Sequence, residues 1–459
     1  MNNQVAQVSE KAMAAAEPMV PAGYKQTEVG VIPEDWEVSA IADKHTIATG
    51  STPPTANPKN YGEDFLFVSP ADLSDKKYIL TTEKKLSKQG FALSKKYPSG
   101  STLFTCIGST IGKTGFATEE LTSNQQINAV FPSEDSDTEF TYYAITYIAP
   151  KVKALAGQQA VPLVNKSEFG ETIFGFPRER KEQTAIANAL SDVDALIGSL
   201  EALIVKKQAI KTATMQQLLT GRTRLPQFAN RPDGSPKGYK TSELGEIPED
   251  WEFCTLDDVL DTCTSGGTPY RGNPSFYKGA VRWITSGELN YCKINDTYEK
   301  ISEDAVVKSN LKIHPEGTFL MAITGLEAAG TRGACGIVGA PATTNQSCMA
   351  LYPNSRLESQ YLYHWYVYNG DSLAFKYCQG TKQLSYTAGL VRKISIFLPV
   401  SAQEQTAIAT ILSDMDEEIQ ALEARLTKTR DLKQGMMQQL LTGKIRLIKP
   451  LAGDEHHAG

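Results

Sequence analysis

No stretch of this 459-residue chain approaches the roughly 18 consecutive apolar residues that a bilayer-spanning helix needs, so no membrane partner is expected. The N-terminus, MNNQVAQVSEKAMAAAEPMV, has no basic n-region and no sustained apolar h-region, so residues 1–22 read as a lead-in rather than a secretory signal. Paired cysteines are missing too. Cys106, Cys254, Cys263, Cys292, Cys335, Cys348 and Cys378 form an odd set without a CxxC pair, which points to reduced thiols in a cytoplasmic protein rather than a disulfide framework. The five histidines show no HxxxH and no Cys/His grouping, so no metal site is expected. A basic excess is also absent. The net charge of −6 argues against indiscriminate coating of nucleic acid, although binding depends on how charge is distributed over one face.

Catalytic signatures are equally scarce. GSTIGKT at 108–114 places three residues between its glycines where a phosphate-cradling loop needs four, so its backbone N–H groups cannot wrap a phosphate in the same way. NPSF at 273–276 lacks the second proline of the Asn-Pro-Pro-Phe motif of adenine methyltransferases, and no Gly-rich S-adenosylmethionine loop accompanies it. No nucleophile elbow and no Ser/His/Asp grouping stands out. With 41% hydrophobic and 21% charged residues, the chain has the composition of a globular protein with sizeable cores. The expectation is a binding protein without a catalytic residue or cofactor.

What the chain does have is a duplication. GYKQTEVGVIPEDWEV at 23–38 returns as GYKTSELGEIPEDWEF at 238–253, an offset of 215. EQTAIANALSDVDALI at 182–197 returns at 404–419, and QQLLTG at 216–221 returns at 438–443, both with an offset of 222. Between these fixed ends the halves diverge. They keep a skeleton in which TPPTANPKNY (52–61) matches TPYRGNPSFY (268–277), and SNQQINAVFP (123–132) matches TNQSCMALYP (344–353). Two copies of so long a period mean paired domains, not a solenoid.

Each half ends in a long helix. Ile186, Leu190, Val193, Ile197, Leu200 and Ile204 follow a 4-3-4-3-4 spacing, and Ile408, Leu412, Met415, Ile419, Leu422 and Leu426 repeat it. That is a coiled-coil seam rather than a broad core face. The helices extend from about 180 to 220 and from 402 to 442, stopped by Gly221 and Gly443, and each gives a rod of roughly 60 Å. They either pack separately on their own domains or pair with each other. The matched seams favour pairing, which a pseudo-twofold axis would make antiparallel. The interiors read as α+β: FLFVS (65–69), TLFTCI (102–107), VRWIT (281–285) and TFLMAIT (318–324) as strands. FTYYAITYI (140–148) and YLYHWYVY (361–368) read as core helices, with strand as the alternative. The expected division is a lead-in at 1–22, a first domain at 23–178, its helix at 179–222, a linker at 223–237, a second domain at 238–400, its helix at 401–444 and a tail at 445–459.

Residues 84–113 carry Lys84, Lys85, Lys88, Lys95, Lys96 and Lys113 and no acid, and residues 372–393 carry Lys376, Lys382, Arg392 and Lys393, again without an acid. One lysine alone is a solvated charge; two such stripes in an acidic chain point to phosphate contact. Ser109, Thr110, Arg271, Arg332 and Tyr386 sit in polar loops that could reach base edges. Two related modules joined by a helical rod would read two half-sites about one helical turn apart, centre to centre.

Together, GY-x-x-[TS]-E-x-G-x-IPEDWE (23–37 and 238–252), the P-x-x-x-x-EQ-x-AI entries to each helix (Pro177 to Ile186; Pro399 to Ile408) and the QQLLTG exits resemble the specificity (S) subunits of type I restriction-modification enzymes. The resemblance implies two target recognition domains separated by an antiparallel coiled coil, each domain reading one half of an asymmetric site in double-stranded DNA. It implies docking of two methyltransferase (M) subunits, which supply adenine-N6 methylation, and of restriction (R) subunits, which supply ATP-driven translocation and cleavage. The chain itself would be non-catalytic. Two other classes remain open: an adaptor whose coiled coil binds only proteins, and an enzyme with an unrecognised site near YLYHWYVY.

Overall fold

The computed structural model describes residues 20–157, 162–242, 245–326, 332–378 and 385–448. Residues 1–19 of the expected lead-in, residues 449–459 of the tail, and Lys382 lie outside the described residues. The chain divides into two compact units. One takes the described residues up to Glu201 together with those from Arg425 onward, and the other is Ala202–Ala424. The division falls inside both long helices, Arg180–Leu219 and Ala402–Leu440, so each unit contains a stretch of helix from each repeat.

In the first unit a five-stranded sheet has the order Ile47–Thr49, Ile127–Val130, Thr102–Thr105, Thr114–Ala117, Tyr78–Ile79. A three-stranded sheet has the order Thr122–Ser123, Tyr61–Val68, Lys84–Leu86. The central strands TLFT, TGFA and INAV are buried throughout because both faces of the sheet are covered. Successive side chains point to opposite faces. Phe104 accordingly packs with the helix Thr138–Leu155, while its neighbour Leu103 packs with Leu66 and Val68.

The second unit repeats this plan. Its five-stranded order is Leu260–Ser265, Cys348–Pro353, Phe319–Ala322, Cys335–Val338, Cys292–Ile294, and its three-stranded order is Lys300–Ile301, Val281–Ile284, Ala342–Thr344. The fold is α+β, with the expected strands in place, and both aromatic segments are helices, Thr138–Leu155 and Ser359–Tyr377.

The repeated opening segment is a β-hairpin followed by a strand. Tyr24–Thr27 pairs with Gly30–Pro33, and Trp36–Ala40 pairs antiparallel with Ile173–Pro177. Tyr239–Ser242, Gly245–Pro248 and the pair Trp251–Thr255 with Ser395–Pro399 repeat it. Trp36 and Trp251 are buried, as core packing would have it. The EQ pair explains itself locally. Gln183 Nε2 donates to the Pro177 carbonyl at 2.8 Å while its Oε1 accepts the Asp137 N–H at 2.8 Å. Gln405 does the same with Pro399 and Glu358, each at 2.8 Å. One buried amide thereby ties a strand end to the start of the aromatic helix in each unit.

The helix ends close on the same hairpins. Gly221 (φ +69°) and Gly443 (φ +68°) adopt the left-handed conformation expected of helix stops. Tyr239 Oη donates to the Gly221 carbonyl at 3.2 Å, and Tyr24 Oη to the Gly443 carbonyl at 3.0 Å. Three residues past each glycine an arginine turns inward. In the second unit Arg224 binds Asp250 (2.8 and 3.1 Å) and Glu404 (2.8 Å twice). In the first, Arg446 binds Asp35 (2.9 and 2.7 Å) and both oxygens of Glu182. Glu404 and Glu182 are 2% and 1% exposed, and a guanidinium fork supplies each of these buried carboxylates with its hydrogen-bonded partner. Burial alone would raise Asp250, but hydrogen bonds from Arg224 and Lys237 outweigh it and hold the carboxyl at about 2.

The seam residues divide by role. Ile186 and Leu190 join a core cluster of the first unit that also takes Leu440 from the other helix, and Ile408 and Leu412 join one in the second that also takes Met215, Leu218 and Leu219, so the first two seam positions of each helix sit where the domain and the other helix share a core. Leu200, Ile204 and Ile419 are buried, whereas Val193, Ile197, Met415, Leu422 and Leu426 are half-buried. In the first unit Asp194 pairs with Lys433 and Glu201 with Arg430, each at 2.6 Å. In the second, Lys207 pairs with Glu418 at 2.6 Å and Lys211 with Asp416. Within each unit, therefore, the two helix stretches run antiparallel.

Where the aromatic helix meets the long helix, the units differ. The first has Tyr143 Oη donating to Asp194 at 2.6 Å, beside a buried Lys77 that reaches Ser191 at 2.8 Å and Glu139 at 2.9 Å. The second has His364, whose Nε2 lies 2.9 Å from Ser413 Oγ and whose Nδ1 lies 3.9 Å from Asp416, with Lys211 nearby. Burial pushes His364 down to about 3 and His314 down to about 4, from an ordinary 6.5. Both fold as neutral rings and take up protons only on unfolding. The second unit should therefore be at full stability above pH 6.5 and lose it as pH falls from 6.5 toward 4, by at most about 1.4 kcal/mol per pH unit for each ring. Thermal unfolding between pH 7.5 and 4.5 checks this; His364→Gln should flatten the slope, and an unchanged slope would contradict it.

Candidate nucleic-acid interface

The first lysine stripe lies on the three-stranded sheet and the segment that follows it. Lys84 is exposed on the strand Lys84–Leu86, and Lys85 is half-buried with its Nζ 3.4 Å from Glu63. Lys88 opens the short helix Lys88–Ala92, whose Ser87 cap accepts the Gly90 N–H. Lys95 and Lys96 are exposed just beyond it, the ammonium of Lys96 lying 5.0 Å from the centre of the Phe91 ring. Lys84 also lines a recess with Thr52, Thr55, Ser69 and Asn124, but Asp72 and Glu83 share that wall.

Ser109, Thr110 and Lys113 belong to a second element, the turn that leaves strand Thr102–Thr105. It closes through the Gly112 N–H on the Thr105 carbonyl at 3.1 Å and the Lys113 N–H on the Thr110 carbonyl at 3.2 Å. Ser109 and Lys113 are exposed and Thr110 is half-buried. The Lys113 ammonium is 3.5 Å from the Pro70 carbonyl, next to Ser69 of the recess. Lys84 thus lines the recess from its strand, while Lys113 reaches Pro70 beside Ser69 and the Lys95 backbone meets Ser51 beside Thr52.

The second module arranges its cations differently. Arg271 is exposed but forms a two-pronged ion pair with Glu299 (2.7 and 2.8 Å) and stacks over Tyr277 at 4.3 Å. Arg332 is half-buried, with Nε 3.9 Å from Asp371. Lys376 is exposed near the end of the helix Ser359–Tyr377, and Arg392 binds Asp257 at 2.6 Å. Tyr386 requires a correction. It is 3% exposed within the main core of the unit, where its backbone N–H donates to the Ile323 carbonyl at 2.9 Å beside the bridge of Ser385 to Thr324, so its ring does not face a base.

Two exposed features escaped the sequence reading. Thr52 Oγ1 donates to Gln125 Oε1 at 2.7 Å, and at the matching positions Thr268 Oγ1 donates to Gln346 Oε1. Lys312 is exposed at the position that corresponds to Lys95 in the first module. Alignment of KKYPSG (95–100) with KIHPEG (312–317) would have found it; the threonine–glutamine pairs join residues more than 70 positions apart and carry no local signal. Among the described residues there is no cluster of side chains able to hold a metal ion, and no helix is long and apolar enough to cross a membrane.

Comparison with known proteins fits this geometry. The profile of the type I restriction modification DNA specificity domain matches residues 33–209 and again 248–429. The chain is 25% identical over 428 residues to the specificity subunit of the MjaVIII type I restriction enzyme of Methanocaldococcus jannaschii, covering 91% of this chain and 94% of that one. It is 28% identical over 317 residues to the MjaIX specificity subunit of the same organism, covering 66% and 69%. A solved S subunit of a type I restriction-modification system from M. genitalium shares the fold, with a TM-score of 0.58 at 15% identity over 88% of this chain and 96% of that one.

Proposed function

Because the chain belongs to the family of type I restriction-modification DNA specificity proteins and is the specificity subunit of such a system, we propose that its two recognition domains, 23–178 and 238–400, each read one half of an asymmetric bipartite site in double-stranded DNA. The long helices set the spacer between the halves. One observation carries this reading. The two units keep sheet order, EQ amide and buried arginine clasp, while most of their exposed cations sit on different elements, Lys84, Lys88 and Lys96 in one and Arg271 and Lys376 in the other. Divergence confined to the surface fits two modules with one scaffold and different DNA sequences to read.

On this reading the repeated hairpins and helix ends offer equivalent surfaces to two methyltransferase subunits, and restriction subunits join to complete the complex. Chemistry belongs to those partners, and this chain contributes target choice in the cytoplasm, where the DNA is. The rival is a protein-interaction adaptor whose helices dock partners without direct DNA readout. The deciding experiment exchanges residues 39–178 for those of another specificity protein, forms the complex with its methyltransferase subunit, and maps the methylated adenines. One half of the recognised sequence should change completely and the other not at all. A change in both halves, or no sequence-dependent modification by the unaltered complex, would sink the proposal.

A further inference from the structure

We propose that each module carries a sequence-independent contact to the DNA phosphate backbone, made by Gln125 and Lys95 in the first and Gln346 and Lys312 in the second. The inference rests on the DNA-reading function above and adds which residues grip the duplex without choosing its sequence.

In the first module the Ser51 N–H donates to the Ser123 carbonyl at 3.0 Å, and in the second the Gly267 N–H donates to the Thr344 carbonyl at 3.0 Å. Gly50 and Gly266 permit the approach, since a Cβ there would lie 2.1 Å from the Asn124 carbonyl oxygen and 1.9 Å from that of Thr344. Above these crossings lies the same exposed pair, Thr52 to Gln125 and Thr268 to Gln346. A bond that merely stapled two loops would be stronger if shielded from water, yet all four side chains are exposed.

The direction of the bond supplies the chemistry. A threonine hydroxyl donating to Oε1 leaves the amide nitrogen of an exposed side chain, a donor of two hydrogens, outside that bond. Its natural ligand is an acceptor. A lysine lies on the adjoining segment in both modules: the Lys95 backbone N–H donates to Ser51 Oγ at 3.3 Å, and Leu311, which precedes Lys312, packs against Gly267, while the exposed Lys312 rests its ammonium 3.8 Å from the centre of the Tyr352 ring. An amide donor with an exposed lysine on the adjoining segment suits an anionic oxygen.

The remaining choice is between a base edge and a phosphate. The other cations differ between the modules, as readers of two different half-sites should, whereas this trio of threonine, glutamine and lysine recurs at matching positions. A contact common to both must address what both half-sites share, and that is the backbone.

The test uses the complex with its methyltransferase subunit and a pool of duplexes of randomised sequence, with bound molecules sequenced. Gln125→Glu and Gln346→Glu keep the acceptor for threonine but turn a carboxylate toward the duplex. Each should weaken binding of the entire pool by about tenfold and leave the selected sequence unchanged. Lys95→Met and Lys312→Met should each lower the slope of log affinity against log salt by about one. Melting temperatures report whether the fold survives; an unchanged one is expected. A shifted base preference in the glutamate variants would assign these residues to base readout, and unchanged affinity or a lowered melting temperature alone would reduce the pair to a loop staple. Either result overturns the inference while the unaltered complex still selects a sequence. If the unaltered complex selects none, the DNA-reading function itself has failed.

Discussion

Replacing Arg224 by methionine is expected to destabilise the second unit by about 3–5 kcal/mol, because it strands the carboxylate of Glu404 with no cation in a site where the side chain is 2% exposed. Asp250 suffers less, since Lys237 still reaches it at 2.7 Å and it is a third exposed. Arg224→Lys should fall between, as one ammonium cannot hold two carboxylates with the four bonds that the guanidinium makes. Adding Glu404→Gln to Arg224→Met should recover a large part of the loss, which a double-mutant cycle followed by denaturant unfolding would read directly.

The matching change in the first unit sharpens the prediction. Glu182 also accepts the indole N–H of Trp36 at 3.2 Å, whereas the indole N–H of Trp251 has no hydrogen-bond partner. Arg446→Met therefore leaves its carboxylate with one donor, and a loss of about 2–3 kcal/mol is expected. Equal costs at the two arginines would contradict the role given to the tryptophan.

These clasps also mark what the sequence conveyed and what it did not. The duplication, the helix stops at Gly221 and Gly443, the strand segments and the seam were all legible, because each is a local or periodic signal. TGRTR and TGKIR, by contrast, look like solvated basic tails, and nothing local says that the final arginine turns onto acids 26 and 180 positions away in the first and 411 and 264 in the second. The start of the seam does more than its spacing conveys. Ile186 and Leu190 share one cluster with Phe140 and Phe176 of the domain and with Leu440 of the other helix, and over two turns a 3.5-residue and a 3.6-residue spacing coincide, so the pattern alone cannot separate the two kinds of packing. Tyr386 failed differently: an aromatic ring flanked by serine and threonine reads as surface, and only the bridge of the preceding Ser385 to Thr324, far away in sequence, sets it in the core.

The second large effect concerns the spacer. Inserting one heptad in each long helix, beside Glu201 in the first and beside Ala424 in the second, should lengthen the gap between half-sites and change neither of them. Seven residues add about 10 Å of helix, and at about 3.4 Å per base pair that is an upper bound of about three base pairs. A full heptad keeps the seam in phase, so Leu200, Ile204 and Ile419 remain buried, whereas an insertion of two residues would rotate them toward water. The duplex answers less freely. Three extra base pairs turn one half-site by roughly a quarter to a third of a helical turn relative to the other, which the complex must absorb by twisting the DNA. The increase seen in the methylated motif should therefore be one to three base pairs, with weaker binding than the unaltered complex. A longer spacer with the same half-sites supports helices that measure distance. An altered half-site at the old spacing would mean that the helices shape the reading surfaces themselves, and the two-module reading would have to be abandoned.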